Sequence, residues 1–163
     1  MEYDITSKIY SSFELFEPKL NQWRNSGDRI IFTNGCFDII HHGHVDSLLK
    51  AASFGKRLIV GLNSDKSVRI LKGTGHPVLE IDARSKMIAA FVFVDAVIIF
   101  EEETPVKLIS QILPNVLVKG KEYKLEEIAG HEIVLQNGGT VERLDLVPGI
   151  SSSEMIRKIK QLE

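Results

Sequence analysis

Short apolar runs alternate with segments of helical periodicity along this chain, and that alternation constrains its fold more than any other feature. Arg29–Thr33 and Leu58–Leu62 read as short buried strands, and Ala96–Phe100, Val116–Val118 and Val141–Leu146 are further candidates. Between the first two, Val45, Leu48, Leu49 and Ala52 share one face of a helix that Gly55 stops. Thr104 and Pro105 predict the N-cap and first turn of a helix running towards Leu113. Ser151 and Glu154 have the spacing of a capping box ahead of Ile156 and Ile159. Such alternation argues for an α/β fold, a doubly wound parallel sheet of about five strands covered on both faces. Crossovers in it are right-handed, and ligands bind at the carboxyl ends of the strands, near a topological switch point.

The rest of the chain narrows the class. Its 163 residues suit one domain, with no repeat, low-complexity tract or linker to divide it. Residues 1–27, with Phe13, Phe16, Leu20 and Trp23 at helical spacing, are expected to be a helical extension packed on a domain of residues 28–163. A net charge of −2 gives no electrostatic case for a nucleic-acid polymer as partner. The single cysteine, Cys36, cannot form an internal disulfide, which fits a reducing compartment. The first residues lack the pattern of a signal peptide, and the longest apolar stretch, Met87–Phe100, is interrupted by Asp95 and too short to span a bilayer. The expectation is a cytoplasmic protein without membrane contact.

The chemistry concentrates at the first strand-to-helix junction, from Thr33 to His44. Gly35 and Gly43 let backbone approach a ligand closely, and the N–H groups and dipole of the first helical turn favour phosphate oxygens. His41 and His44 lie three apart on that turn, which puts both imidazoles on one side, where they can stabilise charge during phosphoryl-type transfer. A zinc site needs three or four ligands, and no second Cys or third well-spaced His stands nearby, so no metal ligation is assigned. His42 reads as a neighbour, and Cys36 as a small buried residue of the turn.

The stretch Thr33-Asn34-Gly35-Cys36-Phe37-Asp38-Ile39-Ile40-His41-His42-Gly43-His44 resembles the nucleotidyltransferase superfamily that shares a His-x-Gly-His signature. Within it, the sequence resembles the adenylyltransferase domains that make ADP-heptose. The segments Val60–Asp65, Leu71–Gly73, Arg84, Leu113–Gly120 and Gly149–Ser153 agree, so the likeness runs from about Ile30 to Ile159. It implies a Rossmann-like sheet and transfer of AMP from ATP to a heptose 1-phosphate, with Mg²⁺ carried on the nucleotide phosphates. It also implies a homodimer and, since the bifunctional members carry a sugar kinase that this chain has no room for, a separate kinase. His76, Leu79, Ile81 and Lys121 depart from the family pattern in loops that could touch the sugar phosphate.

On this resemblance His41, His44, Lys72 and Arg84 are the expected catalytic groups, the last two as cations for phosphate. Thr33, Asn34, Gly35, Cys36, Phe37, Gly43, His44, Lys119, Gly120, Ser151, Ser152 and Ser153 are expected to bind the nucleotide. Asp38, Asn63, Asp65 and Lys72 are expected to meet the acceptor or the ribose. Plainer readings stand beside these: Asn63–Asp65 and Ser151 as helix caps, Lys72 and Arg84 as surface cations. Two other functions remain open on the sequence, a cytidylyltransferase acting on glycerol 3-phosphate and a non-catalytic nucleotide sensor.

Overall fold

Ile30 and Phe32 face one side of the sheet and Ile31 the other, as the period of two in a strand requires, and all three are buried. A strand apolar on both faces belongs in the middle of its sheet. This one, β2 (Ile30–Gly35), lies in the computed structural model between β3 (Arg57–Asn63) and β5 (Val116–Gly120). Beyond β3 comes β4 (Ala96–Phe100), beyond β5 comes β6 (Thr140–Leu144), and the two-residue β1 (Ile9–Tyr10) closes the β4 edge. The structure describes residues 4–162, so the reading of the first residues as lacking a leader pattern falls mostly outside it. The order is β1-β4-β3-β2-β5-β6, and every neighbouring pair is parallel.

The sheet therefore has six strands where about five were expected. The additional one pairs Ile9 with Val97 and Tyr10 with Ile98, and two residues are too few to leave a periodic trace in sequence. It also changes the description of residues 1–27, which supply a strand as well as a helix. Within that segment Lys8 Nζ donates to the carbonyls of Ala89, Phe91 and Val94, tying it to the end of a later helix.

Two apolar layers cover the sheet. On one face α1 (Phe13–Asn25), α5 (Val106–Ile112) and α6 (His131–Gln136) bring Phe16, Leu20, Trp23, Ile109 and Val134 against Phe32, Ile59, Ile98 and Leu117. On the other, α2 (His42–Ala52) and α4 (Ile81–Ala89) set Leu48, Ala51 and Ile88 on Ile31, Val60, Val97 and Val116. Phe32 needs the space over Gly61, where a Cβ would come within 2.7 Å of its ring. At the amino ends of the strands, Asp28 accepts from Lys56 and Arg57, and Asp95 accepts from Arg57 and the Leu58 amide. The helix expected from Thr104 starts one residue later, with Pro105 in the N-cap position, and Leu113 in a left-handed conformation ends it. None of the helices among the described residues is long and apolar enough to cross a membrane.

Candidate active site

From β2 the chain moves outward through β3 to β4, then crosses back to β5 on the opposite side of β2. That reversal opens a crevice at the carboxyl ends of β2 and β5, where doubly wound sheets take their ligands. A cavity of about 480 Å³ lies there. Thr33, Asn34 and Gly35 reach it from β2, and Cys36, Phe37 and Asp38 from the turn that follows. His41, Gly43 and His44 enter at the start of α2, Asn63 from the end of β3, and Lys72 from the last residue of α3 (Asp65–Lys72). Lys119 and Gly120 line it from β5, and Ser151, Ser152 and Ser153 from the start of α7 (Ser152–Lys160).

The two histidines form one unit. Their rings are stacked with centroids 3.8 Å apart and planes at 21°. The edge of Phe37 packs on His44 at 5.2 Å, from a residue whose φ of 44° is uncommon for anything but glycine. Burial, then the neighbouring His41 and Lys72, pulls the His44 pKa down to about 4, and burial followed by His42 lowers that of His41. Both rings are therefore neutral near pH 7 and can each offer an N–H without the cost of desolvating a cation. The Nδ1 atoms of both, and Oδ1 of Asn34, are buried with no hydrogen-bond partner in the protein. Buried polar atoms left open at a cavity wall are set up for a ligand. Gly43 packs closely: a Cβ there would stand 3.0 Å from the His41 ring and 3.1 Å from Ile150, so either side chain would have to shift by a few tenths of an ångström.

Opposite the histidines, Ser151 caps α7, its hydroxyl accepting from the Glu154 amide as the capping-box spacing predicts. Ser152 donates to the Ile39 carbonyl, which ties the α7 amino terminus to the turn before α2. Lys119 donates to the Asn34 carbonyl at 3.1 Å and lies 5.8 Å from the centre of the Tyr123 ring. Burial brings its pKa down to about 8 against the opposing pull of Glu122 and Cys36. Burial raises the Cys36 thiol, so the one cysteine is no activated nucleophile.

Two expected site residues are elsewhere. Arg84 is completely buried on α4 and does not reach the cavity. Its guanidinium donates to the carbonyls of Leu79 at 3.0 Å, Cys36 at 2.6 Å and Asn63 at 2.9 Å, and to Asp65 Oδ1 at 2.6 Å. Those bonds occupy the planar fork, so the expectation of a phosphate-facing Arg84 is corrected. Asp65 is likewise spent on Arg84 and on the Ile81 amide, away from the cavity. Asp38 lines the cavity but is 1% exposed, and its oxygens accept from the amides of Val78 and Leu79 and contact His76. Those backbone bonds and His76 hold its pKa below the usual carboxylate value although burial opposes them. Asn63 donates to Ser67 Oγ. His42 is exposed. Sequence reasoning missed Tyr123, Leu144, Leu146, Val147 and Ile150, which form the apolar wall between β5, β6 and α7. Apolar residues carry no chemical signature, and only the placement of Ile150 beside the three serines pointed there.

A family model described as cytidylyltransferase-like matches residues 32–158. The chain belongs to that family. The chain is an enzyme of the nucleotidyltransferase type. Among curated relatives, the bifunctional protein HldE of Rhodopseudomonas palustris (strain ATCC BAA-98 / CGA009) is 50% identical over 154 residues, and that of Nitrobacter hamburgensis is 48% identical over 151. These alignments cover 94% and 93% of this chain, which spans 31% of the length of each relative. Two solved structures share the fold. The lipopolysaccharide core biosynthesis protein from Thermoplasma volcanium has a TM-score of 0.61 and 23% identity, over 74% of this chain and 97% of that one. The pantoate-beta-alanine ligase from Francisella tularensis, complexed with β,γ-ATP and β-alanine, has a TM-score of 0.64 and 14% identity, over 93% of this chain and 76% of the other.

Proposed function

We propose that the chain transfers AMP from ATP to D-glycero-β-D-manno-heptose 1-phosphate, releasing pyrophosphate and forming ADP-heptose for lipopolysaccharide core or surface-glycan synthesis. The observation that carries this reading is the half-identical alignment with the HldE proteins across nearly the whole chain. The cavity supplies a physical account of the reaction. A sugar phosphate is already an anion, so it needs orientation more than a base. Its oxygen attacks the α-phosphorus of ATP, a new P–O bond forms, the bond to the β-phosphate breaks, and pyrophosphate leaves in line.

Catalysis of this kind is positioning plus charge stabilisation. His41 and His44, neutral and stacked, present N–H donors to the phosphate oxygens at the start of α2. Lys72 adds a point charge from the rim. The amino terminus of α7, with Ser152 and Ser153, faces the same space and favours anions. Lys119, Tyr123 and the apolar wall suit the nucleoside. Mg²⁺ would arrive on the triphosphate, held mostly through the nucleotide's own oxygens. A sugar kinase activity would supply the acceptor, and a homodimer belongs to the same reading.

The family description favours one competing substrate pair, CTP with a polyol phosphate. Pyrophosphate release is the deciding assay, pairing ATP or CTP with heptose 1-phosphate or glycerol 3-phosphate in the presence of Mg²⁺. Release with ATP and heptose 1-phosphate alone is expected. Release only with CTP would overturn the substrate assignment, and silence from every pair would favour a nucleotide sensor.

A further inference from the structure

Phe37 takes a backbone conformation that suits glycine better than a bulky residue. Its φ of 44° lies in the left-handed region. Strain of that kind persists only where the surroundings over-determine it, and it gathers at functional sites. Here both flanking residues are held. On one side the Cys36 carbonyl accepts from Arg84 Nη1 at 2.6 Å. On the other, Asp38 accepts from the Val78 and Leu79 amides at 2.8 and 2.9 Å, with His76 Nδ1 at 3.3 Å. Arg84 is fully buried and Asp38 nearly so, which shields these bonds from competing water.

What this frame fixes is the direction of one ring. Gly35 leaves the space for it, since a Cβ there would stand 3.0 Å from the Phe37 ring. That ring meets His44 at 62° with centroids 5.2 Å apart, while His41 stacks on His44 at 3.8 Å. A working histidine is usually oriented by a hydrogen bond to its second nitrogen. His44 lacks one: its Nδ1 is buried without a partner among the described residues. Packing has to do that work instead. Of the two aromatic neighbours Phe37 is the anchored one, because His41 Nδ1 is itself open. Phe37 also lines the cavity, where the sequence sets it among the nucleotide contacts. A wall for the nucleotide would not need a strained backbone and a ring turned onto a histidine.

We infer that Phe37 is a positioning residue: held in its left-handed turn by the bonds on Cys36 and Asp38, it orients the His44 ring and keeps water from it. What His44 does at the phosphates rests on the nucleotidyltransferase reading; the contact with Phe37 does not. Burial is the first cause of the low pKa of His44, ahead of His41 and Lys72. Removing the Phe37 ring would admit water and raise that pKa, with His41 and Lys72 still opposing the charge.

Phe37→Leu removes the ring and keeps an apolar side chain, and Leu113 shows that leucine takes the same backbone in this chain, with φ of 43°. Phe37→Met, with a more adaptable side chain, is the second variant should the first fail to fold. The His44 imidazole signals, assigned by comparison with His44→Gln, are followed by NMR without substrate. In wild type His44 should stay neutral above about pH 5, and in Phe37→Leu its midpoint should move by about one unit or more towards the ordinary value of about 6.5. Pyrophosphate release is then compared for wild type, Phe37→Leu, His44→Ala and the double variant. Phe37→Leu is expected to lower kcat about tenfold or more, on the scale of a misplaced reacting group, with the nucleotide KM within about threefold. In the His44→Ala background it should cost no more than about twofold, because residues acting through one another are not additive. A loss confined to the nucleotide KM, or one of equal size in both backgrounds, would make Phe37 a nucleotide contact and overturn the proposal. So would an unmoved His44 midpoint in a variant that circular dichroism shows to be folded. If wild type releases no pyrophosphate with any substrate pair, the catalytic reading fails by itself, and the NMR titration still decides the contact.

Discussion

His44 is kept neutral by its surroundings, and that has two consequences. It offers a hydrogen bond without carrying a charge, so its removal strips the transition state of one donor. His44→Ala is expected to raise the barrier by about 2.7–4 kcal/mol, read as kcat with circular dichroism confirming the fold; turnover within threefold of wild type would remove it from the mechanism. The second consequence concerns stability. The folded pKa of about 4 lies below that of an unfolded histidine, about 6.5, so between those values the unfolded chain binds more protons. Stability contributed by the neutral ring is present above the unfolded value and is lost as pH falls through the window. Thermal unfolding of wild type should drop between pH 6.5 and 4 more steeply than that of His44→Gln. At this scale the sequence was half legible. The spacing of His41 and His44 predicts one shared face, and the rings are stacked. Arg84 and Asp65 misled, because an arginine that caps internal carbonyls and one that grips phosphate are the same letter, and only burial separates them.

Among the elements, α7 is the one whose role depends most on its first turn. None of its residues is buried, so it contributes little to the core, and its amino terminus lies at the cavity. Ser151→Ala removes the cap on the Glu154 amide and is expected to cost that helix about 1 kcal/mol. Because the helix is peripheral, the loss should appear as a raised nucleotide KM with Tm nearly unchanged; a lowered Tm with unchanged KM would make α7 a structural helix only. The Ser151 cap was readable since it is a local pattern, although only half of the capping box forms: Glu154 pairs with Arg157 in place of the Ser151 amide. The two-residue β1 was not, because its existence depends on a partner strand far along the chain. The late start of α5 has a similar origin: Thr104 has the right chemistry for a cap, but the chain takes its first helical turn only after Pro105.

For the whole molecule, the chain reversal at β2 fixes where the cavity opens, and the amino-terminal segment completes the layer behind it. Leu20 is fully buried between α1 and the sheet. Leu20→Ala should destabilise the protein by about 2–5 kcal/mol in urea unfolding; a loss under 1 kcal/mol would mean that α1 packs as a dispensable extension. The sheet rule, from strand alternation alone, points to the carboxyl ends of the strands, where the cavity lies, while the filling of the crevice by apolar residues from β6 and the approach to α7 depended on packing that no short pattern records. The placement of β1 also bears on how the protein is made. Ile9 pairs with Val97, and α1 lies against α5, so residues 9–25 bind surfaces that exist only once residues 96–112 have been translated. Until β4 and α5 emerge, Phe16, Leu20 and Trp23 lack part of the layer that buries them, and the growing chain exposes apolar surface for which a chaperone is the natural escort.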